Sequence, residues 1–94
     1  MAGGTKATTF IDNDRVIVTE WRFPAKGDST GWHRHAHDYV VVPGLDGQLK
    51  IVTKEGESIV DMKAGVPYFR PAGVEHDVVN WTDGVYAFIE IELK

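Results

Sequence analysis

Three of the four histidines fall within Trp32-His33-Arg34-His35-Ala36-His37-Asp38-Tyr39, and the fourth, His76, lies far downstream. The β-branched run Val40-Val41-Val42 follows at once and favours extended backbone. In a strand the side chains alternate, so His33, His35, His37 and Tyr39 share one face while Arg34, Ala36 and Asp38 take the other. Two imidazoles at i and i+2 on one face can converge on a point, and neutral imidazole is the commonest metal ligand among side chains. A solvent-exposed histidine-rich turn with no ligand has the same composition. The stretch alone does not choose between the two; His76 does.

The elements that must hold these side chains are short. A chain of 94 residues makes one domain, 1–94, with one modest core, and residues 1–6 are small and polar enough to be a loose end. A hydrophobic content of 43% with 26% charged residues suits a globular protein rather than a disordered one. No stretch approaches a membrane span, and Met1 to Lys6 lacks the apolar core of a signal peptide, so a cytoplasmic location without a membrane partner is expected. With no cysteine there is neither a disulfide framework nor a thiolate site, so a metal must be held by nitrogen or oxygen. A net charge of −4 with scattered Lys and Arg offers no basic face to nucleic acid.

No segment keeps a 3.6-residue period. Instead, Thr8–Ile11, Val16–Phe23, Gln48–Thr53, Ser58–Met62, Val66–Arg70, Glu75–Trp81 and Val85–Leu93 read as strands, joined by turns rich in Gly, Pro, Asn and Asp. With the histidine stretch, about eight short strands predict an all-β sandwich or barrel. In the last strand Ala87, Ile89, Ile91 and Leu93 make one apolar face, while Tyr86 and Phe88 begin the opposite face and Glu90 and Glu92 continue it. Apolar groups on both sides call for a cover beyond the strand's own core. A homodimer joined through terminal or edge strands is the expectation, with the N-terminal strand as the alternative cover.

His76 sits in Gly65-Val-Pro-Tyr-Phe-Arg-Pro71-Ala-Gly73-Val-Glu-His76-Asp-Val-Val-Asn80. This resembles the second motif of the cupin superfamily, G-x5-P-x-G-x2-H-x3-N, at every defined position. Gly27, His33 and His35 are similar to the first motif, G-x5-H-x-H-x3–4-E-x6-G, although the Glu position falls on Tyr39 and the closing glycine is displaced to Gly47. The resemblance covers roughly residues 16–93. Within the superfamily the chain looks like small single-domain cupins that include proteins of β-alanine degradation. The resemblance implies a double-stranded β-helix, a jelly-roll barrel, with His33, His35 and His76 holding a divalent transition metal. Three neutral imidazoles suit zinc, iron, nickel or copper rather than magnesium or calcium. For His76 alone, a buried histidine satisfied by one hydrogen bond is the plainer role. Pro71 and Gly73 make a tight corner that aims His76 inward, and need no further role.

Tyr39 is the main departure from the family pattern, which has a carboxylate ligand there. Its hydroxyl can bond a metal-bound water, its ring can fill space, or its phenolate can ligate directly; the last is opposed by an unperturbed pKa of about 10. His37 shares the strand parity of the pair and either reaches the pocket mouth as an acid–base group or faces solvent at the rim. Asp38 and Glu75 should face away from the site. Arg70 and Tyr68 are candidates to line the pocket and meet an anionic substrate, against the commoner role of a strand arginine as a solvated charge. Trp21, Trp32 and Trp81 are expected in core or interface.

Three function classes follow. One is a small metal-dependent enzyme acting on a carboxylate or amino-acid-derived molecule, with the ion as Lewis acid or O2-binding centre. The second is a non-catalytic cupin that binds a metal or a small molecule, and the third is a storage or structural role in which the histidines are relics. The lost carboxylate favours the second and the retained histidines favour the first.

Overall fold

The computed structural model describes residues 3–94 and contains nine strands and no helix among them. They are β1 (Lys6–Asp12), β2 (Val16–Phe23), β3 (His33–Arg34), β4 (Asp38–Pro43), β5 (Gly47–Thr53), β6 (Gly56–Met62), β7 (Tyr68–Arg70), β8 (Glu75–Asn80) and β9 (Tyr86–Leu93). All pairings are antiparallel, in a five-stranded sheet of order β1-β2-β9-β4-β7 and a four-stranded sheet of order β3-β8-β5-β6. This is the all-β architecture that the strand spacing predicts, arranged as the jelly roll that the resemblance implies. Within the segment expected to be loose, Thr5 is buried and Lys6 already pairs with Arg22. Met1 and Ala2, on which that expectation also falls, lie outside the described residues.

The core forms where inward residues of the two sheets meet. Phe23, Tyr39, Val41, Leu49, Met62, Val78, Tyr86 and Phe88 pack as one buried cluster. In β9 the inward face is Tyr86, Phe88 and Glu90, which are almost wholly buried. The opposite face points out of the barrel: Ile89 and Ile91 are half-buried and Leu93 is exposed. The registers align Phe69, Val40, Ile91, Val18 and Ile11 in one apolar row crossing all five strands on that outer face. β9 itself is hydrogen-bonded on both edges, to β2 and β4, so it is no edge strand. An interface built on β9 must therefore use its outward face.

The histidine stretch is not one strand. β3 belongs to the four-stranded sheet and β4 to the five-stranded one, so the chain must cross between sheets over residues 35–37. The crossing is anchored by His35, whose N–H donates to the Val74 carbonyl (2.9 Å) and whose carbonyl accepts from Gly73 N–H (2.8 Å). Gly73 occupies φ +94°, a region that other residues resist. Asn80 is fully buried; its side chain donates to the Gly84 carbonyl and accepts from Thr82 N–H. Gly47 is excluded from carrying a side chain, since a Cβ there would collide with Thr82 Oγ1 and stand 3.0 Å from the Tyr86 ring.

Candidate functional site

β3 and β8 lie side by side with His33 directly opposite His76, and the 35–37 crossing folds His35 against both. The Nε2 atoms of His33 and His35 stand 3.0 Å apart, and those of His35 and His76 3.2 Å. Two nitrogens each about 2.0–2.1 Å from one ion are separated by roughly 2.9–3.4 Å at the usual coordination angles. The observed spacings fall in that range.

The chemistry of the nitrogens agrees with the spacing. His33 Nδ1–H donates to the Gly31 carbonyl at 2.8 Å, which turns Nε2 toward the other rings as the ring nitrogen not used by the backbone. Burial first, and then the neighbouring His33 and His76, lower the His35 pKa to about 4. His76 is also lowered to about 4, by burial and then His33, with Asp77 opposing and Arg70 adding slightly. Both rings are thus neutral at pH 7, as ligands must be. Three imidazoles converging on one region, two of them kept neutral by burial, fit a transition ion.

Tyr39 stacks face to face on His35, ring centroids 3.8 Å apart and 19° from parallel. Its hydroxyl is buried with no protein hydrogen-bond partner. Burial, and behind it the Glu90 carboxyl, push the phenol well above its ordinary range, which disfavours the phenolate form. The ring therefore holds His35 in place, and the hydroxyl is free to serve a ligand in the adjoining cavity.

That cavity, of about 430 Å³, is bordered by Tyr39, Tyr68, Arg70, His76 and Glu90 and walled by apolar side chains from both sheets, including Val41, Leu49 and Phe88. Arg70 is exposed, lies 4.6 Å over the Tyr68 ring, and donates from Nη1 to the Phe69 carbonyl. His37 is neither among the cavity residues nor in the histidine cluster. Asp38 faces outward and accepts from Ala72 N–H, and Glu75 pairs on the surface with Arg34 and Lys54. Trp21 packs against the core and stacks over His33 at 6.4 Å, whereas Trp32 is exposed and Trp81 is flanked by Lys26 and Lys50.

Glu90 is the functional-site residue that the sequence did not single out. It is buried, its Oε1 lies 3.9 Å from His35 Nδ1, and it groups with His35 and Glu92 as potential ligand atoms. Burial, with Glu92 adding to it, raises its pKa to about 8. The available signal was parity: Glu90 shares a strand face with Tyr86 and Phe88, the two largest apolar groups in β9.

Comparison with known proteins agrees with this architecture. A family model described as a cupin domain matches residues 19–92. The chain is 52% identical, over the full length of both, to a protein of Pseudomonas aeruginosa named beta-alanine degradation protein BauB. A crystal structure of a cupin domain from Bordetella pertussis superposes with a TM-score of 0.93 at 54% identity, covering 97% of this chain and 94% of that one. The polyketide cyclase RemF of Streptomyces resistomycificus superposes at 0.72 with 24% identity, over 95% of this chain and 64% of that one, a likeness of fold alone.

Proposed function

Because the chain belongs to the cupin family, we propose that it is a metal-binding cupin that acts as a small enzyme on an amino-acid-derived carboxylate. His33, His35 and His76 hold one first-row divalent ion. The observation that carries this is the convergence of three Nε2 atoms, two of them on rings kept neutral by burial, beside a cavity that His76 lines.

The rest of the site supplies what such an ion lacks. Arg70 places a guanidinium at the cavity, where it meets a substrate carboxylate. The apolar side chains among the cavity walls lower the local polarity and strengthen the electrostatics beside them. The Tyr39 hydroxyl, unpaired within the protein, hydrogen-bonds whatever polar group enters beside His35. When bound, the ion supplies a Lewis acid or a redox centre. The name of the 52% identical relative supports an amino-acid-derived substrate class.

A second reading has a specific observation behind it. Tyr39 stands where most metal-binding cupins carry a carboxylate ligand, and a site of neutral ligands alone suits a non-catalytic binding protein. One experiment separates the two. Zinc-, iron-, nickel- and copper-loaded protein is incubated with β-alanine and related short carboxylates, and turnover and binding are followed in parallel. Turnover in one metal form that is lost with the metal supports the enzyme. Saturable binding with no chemical change in any form supports the binding protein.

A further inference from the structure

We propose that Glu90 is a positioning residue of the metal centre. It acts through His35 and replaces the charge of the carboxylate that Tyr39 has displaced. The inference rests on His33, His35 and His76 being the metal site.

Glu90 reaches the site from the centre of the five-stranded sheet, not from either histidine motif. The registers place it opposite Val41 of β4 and Thr19 of β2, pointing into the barrel. Its side chain is 8% exposed and that of His35 4%, so the 3.9 Å between Oε1 and Nδ1 is scarcely screened by water. The two ring nitrogens of an imidazole point in widely divergent directions. His35 turns Nε2 toward His33 and His76, so Nδ1 and Glu90 lie on the far side of the ring from the point where the three histidines meet. Glu90 is thus placed to act on the ring rather than to ligate beside it.

Two other restraints on the cluster are visible: His33 is fixed by the Gly31 carbonyl, and the His35 ring plane is fixed by Tyr39. Neither sets the rotation of His35 within its plane, and a carboxylate at Nδ1 does so by favouring Nδ1–H and a free Nε2. The position is otherwise costly. A carboxylate buried beside a second carboxyl, Glu92, is stabilised by positive charge within reach, and an ion on the His35 ring would supply it. The distance is that of an ion pair rather than a hydrogen bond, so the effect is one of charge and orientation.

The test is zinc affinity, by competition with a chromophoric chelator, for wild type and Glu90→Gln. The amide keeps the shape and removes the charge. The expected loss is about 10–100-fold, the usual range for partners of ligating histidines. Thermal stability is measured alongside, because a purely structural role would change the melting temperature and leave the zinc affinity alone. Should the variant not fold, the long-range ¹⁵N–¹H spectrum of zinc-loaded wild type decides: His35 is expected to carry its proton on Nδ1. Affinity within twofold of wild type, or zinc bound to Nδ1 with the proton on Nε2, overturns the inference while leaving the metal site standing. No zinc binding by wild type itself overturns the proposed function, and this inference with it.

Discussion

The metal-free protein should have a stability maximum near pH 6.5, set by three buried groups that pull in opposite directions. Glu90 is raised to about 8 from an ordinary 4.5, so its contribution is full below pH 4.5 and lost as pH rises through 8. His35 and His76 are each lowered to about 4 from 6.5, so theirs is full above pH 6.5 and lost as pH falls through 4. Between pH 4.5 and 6.5 the unfolded chain carries two histidine protons that the folded one lacks, and the folded chain carries one Glu90 proton. The net difference of one proton makes stability rise by ~1.4 kcal/mol per pH unit. Above pH 6.5 only Glu90 differs, and stability falls at the same rate until pH 8, a loss of about 2 kcal/mol. For a domain of this size that is roughly 8–16 °C in melting temperature. Thermal melts followed by circular dichroism from pH 5 to 9, in chelator, measure it. In Glu90→Gln the fall above pH 6.5 should vanish while the rise below it steepens. A wild-type melting temperature that is flat or rising from pH 6.5 to 8, or an unchanged fall in Glu90→Gln, would refute the assignment of a buried carboxyl to this site.

Other expectations follow from the same geometry. Tyr39→Phe keeps the ring on His35 and removes only the unpaired hydroxyl, so metal titration should show a loss of no more than about 10–100-fold. Ferric wild type should lack a phenolate charge-transfer band. Arg70→Gln should weaken the binding of short carboxylates in calorimetry without changing metal affinity, since Arg70 lies at the cavity and outside the histidine cluster. The apolar row from Phe69 to Ile11 is expected to be covered by a second copy of the chain. Sedimentation at micromolar concentration should give twice 10.5 kDa, and Ile91→Lys, at the centre of the row, should give the monomer. A wild type that sediments only at 10.5 kDa would contradict this.

Most of the architecture was legible because each strand is bounded by turn chemistry. The predicted Val16–Phe23 strand is β2 to the residue. What alternation could not show is where a strand changes sheets. The run from His33 to Val42 reads as one strand, yet it crosses between sheets at residues 35–37, and the crossing is visible only through the long-range bonds of His35 to Gly73 and Val74. His35 keeps its inward direction across that break, whereas His37 lies at the crossing and outside the cavity. Glu90 stayed hidden for a related reason. Alternation divides β9 into two faces but does not say which is inside, and four apolar residues on the outer face compete with Tyr86 and Phe88 for that role. Partner strands on both edges decide it, and those pairings are long-range.

The central claim is that one ion is held by His33, His35 and His76. The most direct measurement is elemental analysis and zinc titration of untagged wild type beside His76→Ala. One first-row transition ion per chain in wild type, lost from His76→Ala with the β-sheet circular dichroism spectrum retained, is the predicted result. Equal and negligible metal in both folded proteins would contradict it.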